Sequence, residues 1–182
     1  MLKYVWTAIL ALAFTASVAG AAPATTEDLA VFNAISKSVN TYRFFTIFDD
    51  VRVSVHEGAV TLHGKVTMPY KRRDIERRVG RVEGVDTITN ELAVLPVSFL
   101  DDGLRHQIAR AIYRNPNFWY AATMPSPPIH VIVDRGHVAI TGVVTTEMDK
   151  AILRSIVGQS SAFSVTIDLQ TPAEVSAALE HV

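Results

Sequence analysis

The side chains of this 182-residue chain that could do chemistry are six histidines, two pairs of adjacent aspartates and one dense run of cations. A metal centre or a general base needs histidines and carboxylates converging at ligand spacing. His56, His63, His106, His130, His137 and His181 include no H-E-x-x-H or comparable helical spacing. His56 and His63 project to one face of a predicted hairpin. At about 3.3 Å per residue they lie too far apart there to share one ion. Asp49-Asp50 and Asp101-Asp102 each precede an element start, where carboxylates take up free backbone amides. No G-x-S-x-G elbow and no phosphate-cradling glycine loop occurs. The absence of cysteine removes thiolate nucleophiles, thiolate metal sites and disulfides together. The expectation is a non-catalytic protein without cofactor or metal.

Binding chemistry is better represented. Lys71, Arg72, Arg73, Arg77, Arg78 and Arg81 place six cations within eleven residues, around an apolar stripe of Ile75, Val79 and Val82. Such a face attracts anionic headgroups, at roughly 1 kcal/mol per basic residue held near the surface. The alternative is a solvated helix face softened by Asp74, Glu76 and Glu83. Aromatic groups gather in Tyr42–Phe48 and again in Phe118, Trp119 and Tyr120. They suit a membrane–water interface or a partner groove, or else they plug the open end of a small core. Trp119, following Asn115-Pro116-Asn117, is the one best placed for exposure. Three prolines make Met124-Pro125-Ser126-Pro127-Pro128 a stiff, extended loop beside these rings. With 17 basic against 18 acidic residues, the chain lacks the cationic excess of a general nucleic-acid binder.

The elements that carry these groups come from an internal repeat. Val53-Ser54-Val55-His56-Glu57-Gly58-Ala59-Val60-Thr61-Leu62-His63-Gly64-Lys65-Val66 aligns without a gap on residues 131–144, from Val131 to Val144. Apolar residues alternate on either side of Glu57-Gly58 and Arg135-Gly136, the pattern of a β-hairpin with a two-residue turn. That turn sets Val53 opposite Leu62 and Val55 opposite Val60, and likewise Val131 opposite Ile140 and Val133 opposite Val138. These eight side chains are the expected buried faces. Helical patterns precede the hairpins (Leu29 to Val39, Leu104 to Ile112) and follow them (Ile75 to Val82, Ile152 to Val157). Alternating strands close each copy, Val85 to Val94 and Phe163 to Leu169.

The expected fold is α+β: two tandem α-β-β-α-β units, each a small three-stranded sheet packed on two helices. The expected boundaries are 22–96 and 97–170. Units of roughly 70 residues are marginal alone, so close packing of the two is expected. On the outer face of the second hairpin, Ile132, Ala139 and Val143 form an apolar centre that invites cover, by the other unit, by the chain's tail or by another chain. Thr171-Pro172-Ala173-Glu174 opens a short amphipathic tail helix over 171–182. At the other end, Lys3, an apolar run to Ala19 and small residues at Ala19-Gly20-Ala21 read as a signal peptide, 1–21, cleaved after Ala21; the alternative is an uncleaved membrane anchor, for which the Ala/Thr/Ser-rich run is short.

Two copies of V-x-V-x-x-G-x-V-x-[LI]-x-G-x-V between helices, each followed by a strand, resemble the BON domain of bacterial osmotically induced and nodulation proteins. The resemblance covers about residues 27–170. It is carried by Gly58, Gly64, Gly136 and Gly142, and by Gly84-Val85 through Asn90. The second copy departs from it, with Ser160-Ser161-Ala162-Phe163 at the Gly-Val position and Ile167 in place of Asn90. The resemblance implies an exported protein of the bacterial envelope, associated with phospholipid membranes, with osmotic or envelope stress or with chaperone-like activity. It supplies no catalytic residues. Without a lipoprotein cysteine, the implied location is the free periplasm.

The expected function is therefore binding of anionic phospholipid surfaces, with other envelope proteins as further partners. Lys71, Arg72, Arg73, Arg77, Arg78 and Arg81 would supply attraction, and Phe118, Trp119 and Tyr120 interfacial burial. The alternative is a chaperone-like or adaptor protein that uses the aromatics or Ile132, Ala139 and Val143.

Overall fold

The computed structural model describes residues 26–175. The leader, 1–21, and most of the tail helix expected over 171–182 lie outside the described residues. In chain order the first unit comprises α1 (Thr26–Asn40), β1 (Asp50–His56), β2 (Ala59–Val66), α2 (Pro69–Val79) and β3 (Thr87–Val94). The second comprises α3 (Phe99–Tyr113), α4 (Trp119–Ala122), β4 (Ile129–Asp134), β5 (His137–Val143), α5 (Glu147–Gly158) and β6 (Ser164–Gln170). Each unit is a three-stranded sheet, ordered β1-β2-β3 or β4-β5-β6, with an antiparallel hairpin and a parallel third strand reached through a helix. No helix among the described residues is long and apolar enough to cross a membrane.

The hairpin register is the expected one, with Val53 opposite Leu62, Val55 opposite Val60, Val131 opposite Ile140 and Val133 opposite Val138. Both turn residues take positive φ in each copy: Glu57 48° and Gly58 75°, Arg135 52° and Gly136 79°. Two left-handed residues match the twist of the flanking strands, which is why this turn tolerates Glu and Arg in its first position. Gly64 and Gly142 meet a stricter demand. Their φ values are 124° and 121°. A Cβ on Gly64 would stand 2.2 Å from the Asp50 carbonyl oxygen, and one on Gly142 1.9 Å from that of Pro128.

The two copies differ in how well the first hairpin strand is covered. Val131 and Val133 on β4 are fully buried, whereas Val53 and Val55 on β1 are only partly buried. The reason is a crossing contact. The loop between α1 and β1 leaves its own unit, and Ile47 and Phe48 pack against the core of the second. The Ile47 carbonyl accepts the Val131 N–H at 2.7 Å, sealing the open edge of β4.

Further departures from the sequence pattern are local. α4 is a single helical turn for which the sequence pattern carries no signal, and residues 124–128 beyond it are non-helical, as their three prolines require. Phe163 stands outside β6 and is 83% exposed, its ring lying over Gly136 rather than in the core. Its backbone N–H still bonds the Gly136 carbonyl, so the strand begins in register despite the missing Gly-Val. At the chain's far end Thr171 and Glu174 exchange the hydrogen bonds of a capping box.

Replacing Gly142 by Ala should destabilise the protein by about 1–3 kcal/mol from backbone strain alone, with the clash against Pro128 added. Gly103→Ala, on an open helix face where a Cβ meets nothing, should instead stabilise by about 0.5–1 kcal/mol. Thermal unfolding of the two variants checks the pair.

Candidate functional site

The first unit is organised around a buried anion. Asp49, with no exposed surface, accepts hydrogen bonds from the backbone N–H and hydroxyl of Thr46 (2.9 and 2.7 Å) and of Thr67 (2.8 and 2.9 Å). Lys71 adds its ammonium at 2.6 Å and donates to Thr67 Oγ1 at 2.7 Å. Burial alone would push the Asp49 carboxyl up. The bonds from Lys71, Thr67 and Thr46, with the lysine's charge, outweigh it and hold the group below the ordinary carboxylate range. Lys71 is in phase with Ile75 and Val79, so the helical period carries it to the core face. It belongs to the interior, not to the expected cationic surface. Removed from a wet face by that geometry, it cannot reach a headgroup.

The remaining cations of α2 divide by position. Arg72, Arg73, Arg77 and Arg81 are exposed, and Arg78 is half-buried. Arg72 donates to the Asn90 carbonyl, Arg77 pairs with Asp74 at 3.2 Å, and Arg78 donates to the Ser38 carbonyl at 3.0 Å. Beside this face lies an aromatic group built from two elements. Phe44 stands edge-on to Tyr70 at 5.9 Å and to Tyr42 at 5.7 Å, with the Arg43 guanidinium 4.5 Å from the Phe44 ring centre. Phe44 and Tyr70 are each 41% exposed, and Met68 is exposed next to them in the chain. The Tyr42 hydroxyl donates to Asp74, and burial, reinforced by that carboxylate, pushes its pKa up. Cations and aromatic rings thus meet at Arg43–Phe44 and again at Arg78, 5.5 Å from the Tyr42 ring centre. Tyr42, Arg43 and Phe44 were visible only as an aromatic segment, and nothing in the sequence linked them to Tyr70.

The second unit's expected residues separate in the same way. Phe118 is completely buried in the core, because the turn after α3 directs it inward. The expectation of an exposed Phe118 is corrected. Trp119 is 61% exposed, and Tyr120 is half-buried with its hydroxyl 3.3 Å from Thr145. Among the three apolar residues of the outer sheet face, Ile132 is buried, Ala139 is half-buried and Val143 is exposed.

Part of that face is covered by the first unit, which withdraws Ile132 as a surface for another chain. Lys65 pairs with Asp134 at 2.7 Å, Arg52 reaches Asp168 at 3.1 Å, and Thr141 donates to Asp50 at 3.2 Å. Phe45 packs on His130 with ring centres 5.4 Å apart. Burial holds the His130 pKa down, against the charges of Asp50 and Asp49 and hydrogen bonds to the backbone of Asp49 and Thr46. A mixed-charge cleft of about 600 Å3 remains between the sheets, lined in part by Arg52, Lys65, Asp134 and Ala139.

The other histidines are scattered: His63 contacts Glu91 at 2.9 Å, His137 contacts Ser164 at 2.7 Å, and His106 stands edge-on to Phe48. Among the described residues no three His, Cys, Asp or Glu side chains are grouped to hold a metal ion. Of the adjacent aspartates, Asp49 takes up the amides of Thr46 and Thr67, and Asp101 accepts from the distant Arg135 and Gly136 N–H groups at 2.8 Å, pinning α3 to the second hairpin turn. The most exposed large apolar side chains among the described residues lie at the junction of the two units, where the sequence pattern carries no signal. Val97, Phe99 and Leu100 are 97%, 95% and 85% exposed.

Two units of this topology, each with a glycine-locked hairpin, a parallel third strand and no grouped metal ligands, define a tandem module. A family model for the BON domain matches residues 34–96 and again 101–163. The chain belongs to the BON-domain family. It is similar to two structures of CdsD, a structural protein of the type III secretion system of Chlamydia trachomatis. The first, of the C-terminal domain, is 16% identical with a TM-score of 0.35, over 81% of this chain and 67% of that one. The second is 10% identical with a TM-score of 0.29, over 83% and 97%. No curated protein matches the chain in sequence.

Removing one partner of the Asp49–Lys71 pair strands a buried charge. Lys71→Met should therefore cost about 3–5 kcal/mol in chemical unfolding, and Asp49→Asn with Lys71→Met together less than the two single changes summed. The Asp49 carboxyl is held below its ordinary value, so its contribution is present above about pH 4 and is lost as pH falls towards the folded-state value. The double variant should have a flatter acid limb than the wild type.

Proposed function

We propose that the chain is a non-catalytic, exported module of the bacterial periplasm that binds anionic phospholipid surfaces through its first unit, in protection against osmotic or envelope stress. One observation carries this reading: α2 presents exposed Arg72, Arg73 and Arg77 together with Tyr70, whose partly exposed ring meets Phe44, and Arg43 stands 4.5 Å from the Phe44 ring centre. Magnitudes show why both parts are needed. Four cations at roughly 1 kcal/mol each give about 4 kcal/mol, equivalent to millimolar binding. Charge alone steers the protein to a membrane without holding it there. Phe44, Tyr70 and Met68 supply apolar area with polar tips at one end, the character of residues that settle at headgroup level. The signal-peptide pattern at 1–21 supports export.

A protein-binding role is favoured by a different observation, the exposure of Val97, Phe99 and Leu100 between the units. Salt separates the two. Screening shortens the reach of the arginines and leaves apolar contact intact.

The test is flotation of the protein recovered after export, its amino terminus at Ala22, with neutral and anionic liposomes at low and high salt. Flotation with anionic vesicles only, lost at high salt, is expected. Arg72→Glu with Arg73→Glu should abolish it while leaving thermal unfolding unchanged. Absence of the folded protein from every lipid fraction would refute the membrane reading, and salt-independent capture of a protein partner, lost on Phe99→Ser with Leu100→Ser, would favour the adaptor.

A further inference from the structure

A second cleft, of about 470 Å3, opens where the two units meet, on the side away from the paired charges of the sheet faces. Ile47 and Phe48 enter it from the first unit, Ala109 and Tyr113 from α3, and Ala122 and Pro127 from α4 and the loop beyond. Its walls are therefore apolar. Its size falls within the roughly 300–1,000 Å3 of small-ligand sites.

The ionisable groups on its lining are all basic except Tyr113. They are His106, Arg110 and Arg114, and no carboxylate is among them. The Tyr113 hydroxyl is directed elsewhere, donating to the Ile129 carbonyl, and burial raises its pKa. Arg110, in the last turn of α3, and Arg114, its C-cap, are four residues apart and so lie on one side of that helix end. Both are exposed, and among the described residues neither is held by a carboxylate; Arg110 donates only to the backbone of His106.

We infer that this inter-unit cleft binds a single-chain anionic amphiphile, a free fatty acid, with its alkyl chain against Phe48, Ala109 and Ala122 and its carboxylate between Arg110 and Arg114. The apolar wall selects the chain and the carboxylate-free cationic rim selects the sign of the head. Guanidinium forks also suit a carboxylate geometrically. The site lies at the junction of the units and takes a free single chain, whereas the membrane reading rests on α2, so the inference goes beyond that reading and stands or falls without it. The site exists only when the units are docked, since Ile47 and Phe48 belong to one and α3 to the other.

The test uses the exported protein and cis-parinarate below its micellar concentration, with no vesicles present. A saturable, one-to-one rise in probe fluorescence is expected. Dodecanoate should displace the probe and dodecyltrimethylammonium should not. Arg110→Gln with Arg114→Gln should weaken binding at least tenfold. Ala122→Trp, an exposed position at the mouth, should block it without shifting thermal unfolding. Arg72→Glu with Arg73→Glu should leave it unchanged, which keeps the two sites distinguishable. No saturable binding by the folded protein overturns the inference, whether the cleft is filled by residues 176–182, by a second copy or by nothing. So does binding that survives both cleft variants.

Discussion

The carboxylate of Asp49 is the constraint on which the rest of the molecule turns. An ionised group with no exposed surface is tolerated only when its desolvation is repaid by donors. Here the repayment fixes three segments at once: Thr46 in the α1–β1 loop, Thr67 at the end of β2 and Lys71 in the first turns of α2. The loop is thereby held in one shape. Ile47 and Phe48 lie between Thr46 and Asp49, so the shape that satisfies the anion also aims these two side chains into the neighbouring unit. The Ile47 carbonyl meets the edge of β4 through the same restraint. Electrostatics inside one unit thus decides the packing between two.

This coupling explains why duplicated sequences have become unequal structures. The alignment of 53–66 with 131–144 preserves every hairpin glycine and every inward valine, leucine or isoleucine. Position 49 has its counterpart at Pro127, and Lys71 at Asp149, where a helix-capping box takes over the local role. The second unit's buried carboxylate, Asp101, holds the hairpin turn instead, and this unit receives the loop rather than supplying it. Its β4 valines are fully enclosed while those of β1 keep partial contact with water. The first unit retains the arginine-rich helix with its aromatic flank. The second contributes most of the walls of the junction cleft.

Period-two and period-3.6 patterns made much of this fold legible. They gave the register of both hairpins, the turn glycines and the phase of the helices, because these follow from local geometry. Lys71 was legible too, in principle: it shares the phase of Ile75 and Val79, but a cluster of like charges reads as surface unless the phase of each member is checked. Phe118 carried no such signal, since a turn has no period from which to read a direction. The apolar centre at Ile132 and Ala139 announced that something covers it, without distinguishing the other unit from the tail or another chain. The cleft was invisible for a simpler reason. Phe48 and Ala109 are brought together by docking alone, and no short-range pattern relates them.

The crossing loop also imposes an order on how the molecule is made. The first unit's core is drawn from its own segments, so it can close as soon as its last strand is available. The second unit's core is capped by Ile47 and Phe48, which pack against it from the far side of the junction. A chain delivered amino terminus first meets these requirements in sequence, the completed unit presenting a ready-made plug and an edge acceptor to the one that follows. Delivered in the reverse order, the second unit would have to wait with an uncapped core and a bare strand edge, the condition in which small sheets pair with the wrong neighbour.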